Sequence, residues 1–171
     1  MRHRPGPSLY AGLLLTVLGM LAWSSGQPFV FPSLGPTAFV LAFDRRSRRT
    51  EADRIVGSHL IGGVAGLVAW SVLAPGSTLT APPPSFSAEG LRLVASATLS
   101  IVLTGWGMVA TDSIHPPACA TTLIVSLGLL STPVQVAIIV ASVSILVSFH
   151  AGARFVCRRL VGDARPRDRE R

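Results

Sequence analysis

The chain is 171 residues long, 49% apolar and 13% charged, about half the charge of a typical soluble domain. A water-soluble fold of this size is excluded, because too few polar side chains remain to cover its surface. The net charge of +7 comes from fifteen arginines without a single lysine. These flank apolar stretches and do not line a face interleaved with aromatics, which argues against a nucleic-acid partner and for the basic bias of cytoplasmic loops in membrane proteins.

In chain order, Leu9 to Trp23 is the first apolar run. It follows Arg2, His3 and Arg4 and so imitates a signal peptide, but Ala22-Trp23-Ser24 is a poor cleavage site and more apolar runs follow. It reads as a retained span. Pro28 to Phe43 is apolar but broken by Pro28, Pro32, Gly35 and Pro36. Gly57 to Ala74 is a second span, with Gly57, Gly62, Gly63 and Gly66 on a small-residue face suited to close helix packing. The loop Pro75 to Glu89, with Pro82-Pro83-Pro84, follows. Leu91 to Ala110 is a third span. Asp112 to Leu130 opens with Asp, Ser, His and two prolines before a helical run from Ala118. Val134 to Phe149 is the fourth span. Each full span approaches the roughly 20 residues a bilayer requires, whereas proline removes a backbone donor and restricts its predecessor, so both broken stretches should be part extended, part helix.

Arginine placement decides whether the broken stretches cross. If both cross, Arg2, Arg4, the loop Arg45 to Arg54 and the C-terminal arginines all lie on the cytoplasmic side with both termini, and the opposite loops carry no Arg or Lys. If both are re-entrant, the arginine-rich loop falls outside. Six crossings fit better.

The sequence thus predicts an all-α, multi-span transmembrane bundle forming one membrane domain over 1–171. Its halves, 8–74 and 91–156, are separated by the extracytoplasmic Pro-rich loop 75–90 and followed by an Arg-rich cytoplasmic tail, 157–171. Ser33-Leu34-Gly35-Pro36-Thr37-Ala38 and Ser113-Ile114-His115-Pro116-Pro117-Ala118 match at Ser, an aliphatic, Pro and Ala. Three crossings per half is odd, so the second half would be inverted: a 3+3 inverted repeat of the kind found in transporters with discontinuous helices.

Proline in the first helical turn costs little, and the free N–H groups there carry the positive end of the helix dipole. Two such helix starts meeting inside a membrane make an anion site without a fixed charge. The candidate substrate-binding residues are Ser33, Gly35, Pro36 and Thr37 in the first half and Ser113, His115, Pro116, Pro117 and Thr121 in the second. The backbone N–H groups are the favoured ligand contacts. His115 is open to a ligand, gating or structural role. Asp112 reads as a boundary or capping residue, His59 as readily interfacial as functional, and His150 as interfacial. Cys119 and Cys157 form no disulfide framework, and no spacing suggests a metal or another cofactor.

Three blocks resemble the HPP family of membrane proteins: Phe31 to Ala38, Arg54-Ile55-Val56-Gly57-Ser58-His59, and His115-Pro116-Pro117-Ala118-Cys119-Ala120-Thr121. They keep the family's order, and the likeness covers roughly Leu9 to Ala153. Pro36, Ser58 and Cys119 depart from its usual pattern. The family is usually described with four transmembrane helices, and some members are reported as nitrite transporters. The resemblance therefore implies transport of a small anion such as nitrite in the plasma membrane.

Two other readings remain open at this stage. One is a non-transporting membrane scaffold or assembly partner, for which the face of Gly62 and Gly66 would suit helix association; separately, a homo-oligomer is among the expected partners. The other is an intramembrane enzyme using Asp112 and His115, disfavoured for want of a further converging polar group. The expectation is that the protein is not an enzyme.

Overall fold

The computed structural model describes residues 6–43 and 51–163. The arginines expected to mark the cytoplasmic side at 2–4, 45–49 and 165–171 lie outside the described residues. Six helices form in chain order: α1 (Gly6–Ser25), α2 (Leu34–Phe43), α3 (Ala52–Leu73), α4 (Ala88–Ala110), α5 (Ala118–Ser126) and α6 (Pro133–Asp163). Among the described residues there is no strand. Helices α1, α3, α4 and the Pro133–Arg159 part of α6 are long and apolar enough to cross a membrane. They correspond to the four expected spans. Apolar side chains such as Leu9, Val72, Leu91, Val109 and Val134 point outward from them, as a lipid environment allows.

Local chemistry sets the helix ends. The Ser87 hydroxyl caps α4 by accepting the Gly90 N–H at 3.1 Å. α4 stops where Asp112 takes a positive φ of 50°. There the Asp112 N–H reaches the Val109 carbonyl (3.3 Å) and the Ser113 N–H reaches Met108 (3.0 Å), a paired Schellman closure. α5 ends the same way at Gly128, whose N–H bonds Val125 while that of Leu129 bonds Ile124. α6 opens with a reciprocal capping box. Thr132 Oγ1 accepts the Gln135 N–H, and Gln135 Oε1 accepts the Thr132 N–H, with Pro133 between.

Two boundaries differ from expectation. α5 stops at Ser126, short of Leu130. α6 continues past Phe149 to Asp163, a helix of 31 residues. Hydropathy ends at Phe149 because the chain leaves the apolar layer. Helix formation does not, since Ala and Arg are good helix formers in water as well.

Side-chain contacts fix the direction of each element. Tyr10 near the start of α1 bonds His150 late in α6, and His150 and Arg154 line one cavity with Ala52 at the start of α3. These residues define a basic end. From there α3 and the second broken segment run side by side. Arg54 pairs with Asp112, Ser58 meets the Ser113 carbonyl, His59 bonds Thr121, and the Leu79 N–H just beyond α3 bonds the Leu127 carbonyl at 2.9 Å. Residues 112–127 therefore travel from one end of the bundle to the other, although α5 itself is only about 14 Å long at 1.5 Å per residue. Residues 26–43 likewise lead from the far end of α1 back toward the basic end, where α3 begins.

The second-half helices start 82, 84 and 81 positions after the first-half ones, at Ala88 against Gly6, Ala118 against Leu34 and Pro133 against Ala52. Each half is a long helix, a broken segment and a long helix, and the two run in opposite senses.

Packing divides the bundle into two groups. Helices α1, α2 and α6 pack together; so do α3, α4 and α5; the contact of α3 with α6 joins them. Missing side chains bring α3 close both to α6 and to α5. A Cβ at Gly63 would lie 2.5 Å from Val136 Cγ1 on α6, and one at Gly66 would lie 2.8 Å from Val125 Cβ and 2.9 Å from the Thr122 carbonyl on α5. Gly62 meets Thr122 and Ala118 in the same way, whereas Gly57, expected on this face, has open space around it.

Candidate functional site

The break before α2 brings Ser33 and Thr37 inward, and the His-Pro-Pro break before α5 brings His115 and Thr121 inward. Between them stands His59, two turns into α3. Ser33, Thr37, His59, His115 and Thr121 are all fully buried. Thr37 is the hub. Its Oγ1 lies 3.1 Å from the Ser33 carbonyl, 3.1 Å from His59 Nε2 and 3.3 Å from His115 Nε2. His59 Nδ1 is 2.7 Å from Thr121 Oγ1, and the two imidazole centroids are 5.6 Å apart.

Proton counting orders this cluster. A threonine hydroxyl has one proton, and a carbonyl can only accept. Thr37 therefore donates to Ser33, and both imidazoles donate their Nε2–H to Thr37. With its ring uncharged, His59 then accepts the Thr121 proton at Nδ1. The Ser33 hydroxyl is buried with no hydrogen-bond partner among the described residues. No acidic or basic side chain other than histidine takes part. The charged pair Arg54–Asp112, at 2.7 Å, lies about 7–8 Å nearer the basic end along α3.

Behind the cluster, a groove of about 530 Å³ separates α2 from α5. Pro36, Phe39, Val40 and Phe43 form one wall, and Pro116, Pro117 and Ala120 the other, with His115 at its base. The two proline-marked helix starts thus face each other as expected, but the walls between them are apolar. His115 is the one polar side chain in this lining.

The candidates from sequence divide three ways. Ser33, Thr37, His115 and Thr121 come together in the buried cluster. Pro36, Pro116 and Pro117 line the groove. Gly35 is half-buried with nothing close to it, and Ser113 stands at the Arg54 end, bonded to Thr111 at 2.6 Å. Asp112 is a boundary residue, as expected; its carboxylate turns outward to Arg54, whereas His115 is fully buried.

One expectation is corrected. The first N–H groups of α5 are not free, because those of Ala118, Cys119 and Ala120 bond the carbonyls of His115, Pro116 and Pro117 at 3.0–3.1 Å. A break tight enough to close 3₁₀-type bonds satisfies its own donors. The polar groups left for chemistry there are therefore the imidazoles and hydroxyls. His59, read as interfacial as readily as functional, is the centre of the cluster. Its five-residue distance from Arg54 suggested the membrane surface, but the helix carries it inward by two turns. His150 is buried, at 4% exposure, beside Tyr10 at the end of the bundle that carries Arg154.

No curated protein and no solved structure matches the chain. A family model does, over residues 7–165, and it is that of the HPP transmembrane region. The His-Pro-Pro break, the Ser33–Thr37 break and His59 all fall within it, and the chain belongs to the HPP family of membrane proteins.

Proposed function

We propose that this HPP-family protein is a transporter or channel for a small inorganic anion, nitrite being the substrate the family resemblance suggests. It would act in the plasma membrane with both termini cytoplasmic. One observation carries the reading: two broken segments from opposite halves place their helix starts at one buried cluster, where imidazole N–H and hydroxyl groups converge without a fixed charge. The imidazole N–H and threonine hydroxyl donors bond within the cluster, so they would engage a dehydrated anion by exchanging those bonds for bonds to the ligand, a trade weak enough to allow release. A full positive charge at this depth would hold the anion too firmly and cost far more to bury. The spare Ser33 hydroxyl supplies a donor that needs no rearrangement to engage a ligand.

The apolar groove between α2 and α5 supports a moving part in the same reading. The two helix groups meet through α3 and α6, and also through the Thr37 bonds and the buried Leu34, Ala38 and Leu41, so a shift of α2 against α5 would have to break the Thr37 hydrogen bonds to His59 and His115. Rocking of one group against the other around a fixed site is the motion that inverted-repeat transporters use. No chemical step is assigned, and the protein is read as a non-enzyme.

The test is anion flux into proteoliposomes containing the purified chain. Nitrite uptake above empty liposomes is expected, reduced at least about tenfold by His115→Ala and by Ser33→Ala, since each removes a hydrogen bond to a charged ligand worth roughly 1.5–3 kcal/mol. No flux of nitrite, nitrate, formate or chloride would overturn the proposal.

A further inference from the structure

A second cavity lies at the basic end, remote from the Thr37 cluster. His150, Arg154 and Arg158 stand four residues apart along one face of α6. With Val147, Ala151, Phe155 and Ala52 at the start of α3 they line a space of about 340 Å³. The Tyr10 hydroxyl, 3.0 Å from His150 Nδ1, and the tilted ring contact between the two side chains hold the imidazole in place. Arg154 is half-buried and Arg158 exposed. Neither has an ion-pair partner among the described residues, where both ion pairs belong to Arg54. Glu51 and Asp53 of the neighbouring α3 start line a different cavity, with Arg54 and Asp112, and among the described residues neither forms an ion pair with Arg154 or Arg158.

We infer that His150, Arg154 and Arg158 form a binding site for the phosphate group of an anionic phospholipid. The vertical order of the lining carries the assignment. Val147 and Ala151 lie on the apolar side, at the depth where an acyl chain begins. Arg154 and Arg158 lie one and two turns further out, where α6 leaves its apolar stretch. Two guanidinium forks a turn apart suit tetrahedral phosphate oxygens, which accept bidentate donors better than they do a point charge. Basic pockets between spans hold lipid headgroups by this chemistry, and the volume admits a phosphate with its glycerol. The inference does not depend on the transport reading.

The test uses the full chain in micelles containing phosphatidylglycerol and phosphatidylcholine, analysed by native mass spectrometry. Retention of phosphatidylglycerol over phosphatidylcholine is expected, falling about tenfold or more in the Arg154→Gln/Arg158→Gln variant, at roughly 1 kcal/mol per basic residue. Arg92→Gln, on α4 at the opposite end, should leave it unchanged. Lysine at both positions should retain an intermediate amount, since the charge stays and the fork is lost. A parallel thermal-stability series with inorganic phosphate in phosphatidylcholine separates the sources. Protection that matches phosphatidylglycerol and vanishes in the double glutamine variant assigns the same site to free phosphate, and absence of protection assigns it to the lipid. Equal retention of the two lipids, or phosphatidylglycerol retention unchanged by the double variant with no phosphate effect, overturns the inference.

Discussion

Replacing Thr37 with valine removes one oxygen atom and keeps the side-chain shape, yet three hydrogen bonds of 3.1, 3.1 and 3.3 Å end on that oxygen. The Ser33 carbonyl loses its donor, and the Nε2–H groups of His59 and His115 lose their shared acceptor in a fully buried setting. At about 1–3 kcal/mol for each buried donor left unmade, the two imidazoles alone account for a loss of roughly 2–6 kcal/mol. Thr37→Ser keeps the oxygen and gives up one buried methyl, about 1 kcal/mol. Thermal unfolding in detergent, followed by tryptophan fluorescence, should therefore rank wild type and Thr37→Ser close together and Thr37→Val well below. Adding His115→Leu to Thr37→Val should recover part of the loss, because one orphaned donor is then gone. If Thr37→Val is as stable as Thr37→Ser, the shared-hydroxyl arrangement is wrong.

Other expectations follow from the packing and from the two ends of the bundle. Gly66→Val should destabilise by about 1–3 kcal/mol through overpacking against Val125 and Thr122, while Gly57→Ala, with open space around it, should stabilise by about 0.5–1 kcal/mol; the same unfolding assay compares them. In single-cysteine variants, Cys157 at the basic end and Thr80→Cys in the Pro-rich loop should react with an impermeant maleimide from opposite faces of the membrane, and labelling from one face would contradict the direction of α6. Arg54→Gln and Asp112→Asn should each loosen the start of the second broken segment, seen as faster hydrogen exchange at 111–115. Exchanging the two charges should restore protection, less so at high salt.

How much of this was legible beforehand depended on the kind of signal. The four spans and the start of α5 at Ala118 could be read because apolar length and proline chemistry are local. The pairing of Ser33–Ala38 with Ser113–Ala118 could be read as well, since position and helix-break chemistry agree. His59 could not: nothing near it in sequence distinguishes a histidine at the membrane surface from one that meets Thr121 across a helix interface. The state of the α5 donors was hidden for the opposite reason. Whether an N–H is free after Pro116-Pro117 depends on how tightly the break turns, and residue types alone do not fix that turn. Ser113 carried the motif's likeness without sharing its location, because the Schellman closure of α4 holds it beside Arg54.

The correspondence between the halves has a consequence for biosynthesis. The link between α2 and α3 contains four arginines, Arg45, Arg46, Arg48 and Arg49, whereas its counterpart between α5 and α6, Leu127 to Thr132, contains none. Under the proposed topology, those arginines, together with the ones flanking α1 and α6, would orient two units of like architecture in opposite senses. Orientation is thus stored separately from shape. Moving those arginines to the other link would be expected to set the halves in conflict during insertion while leaving every buried contact of the Thr37 cluster chemically intact.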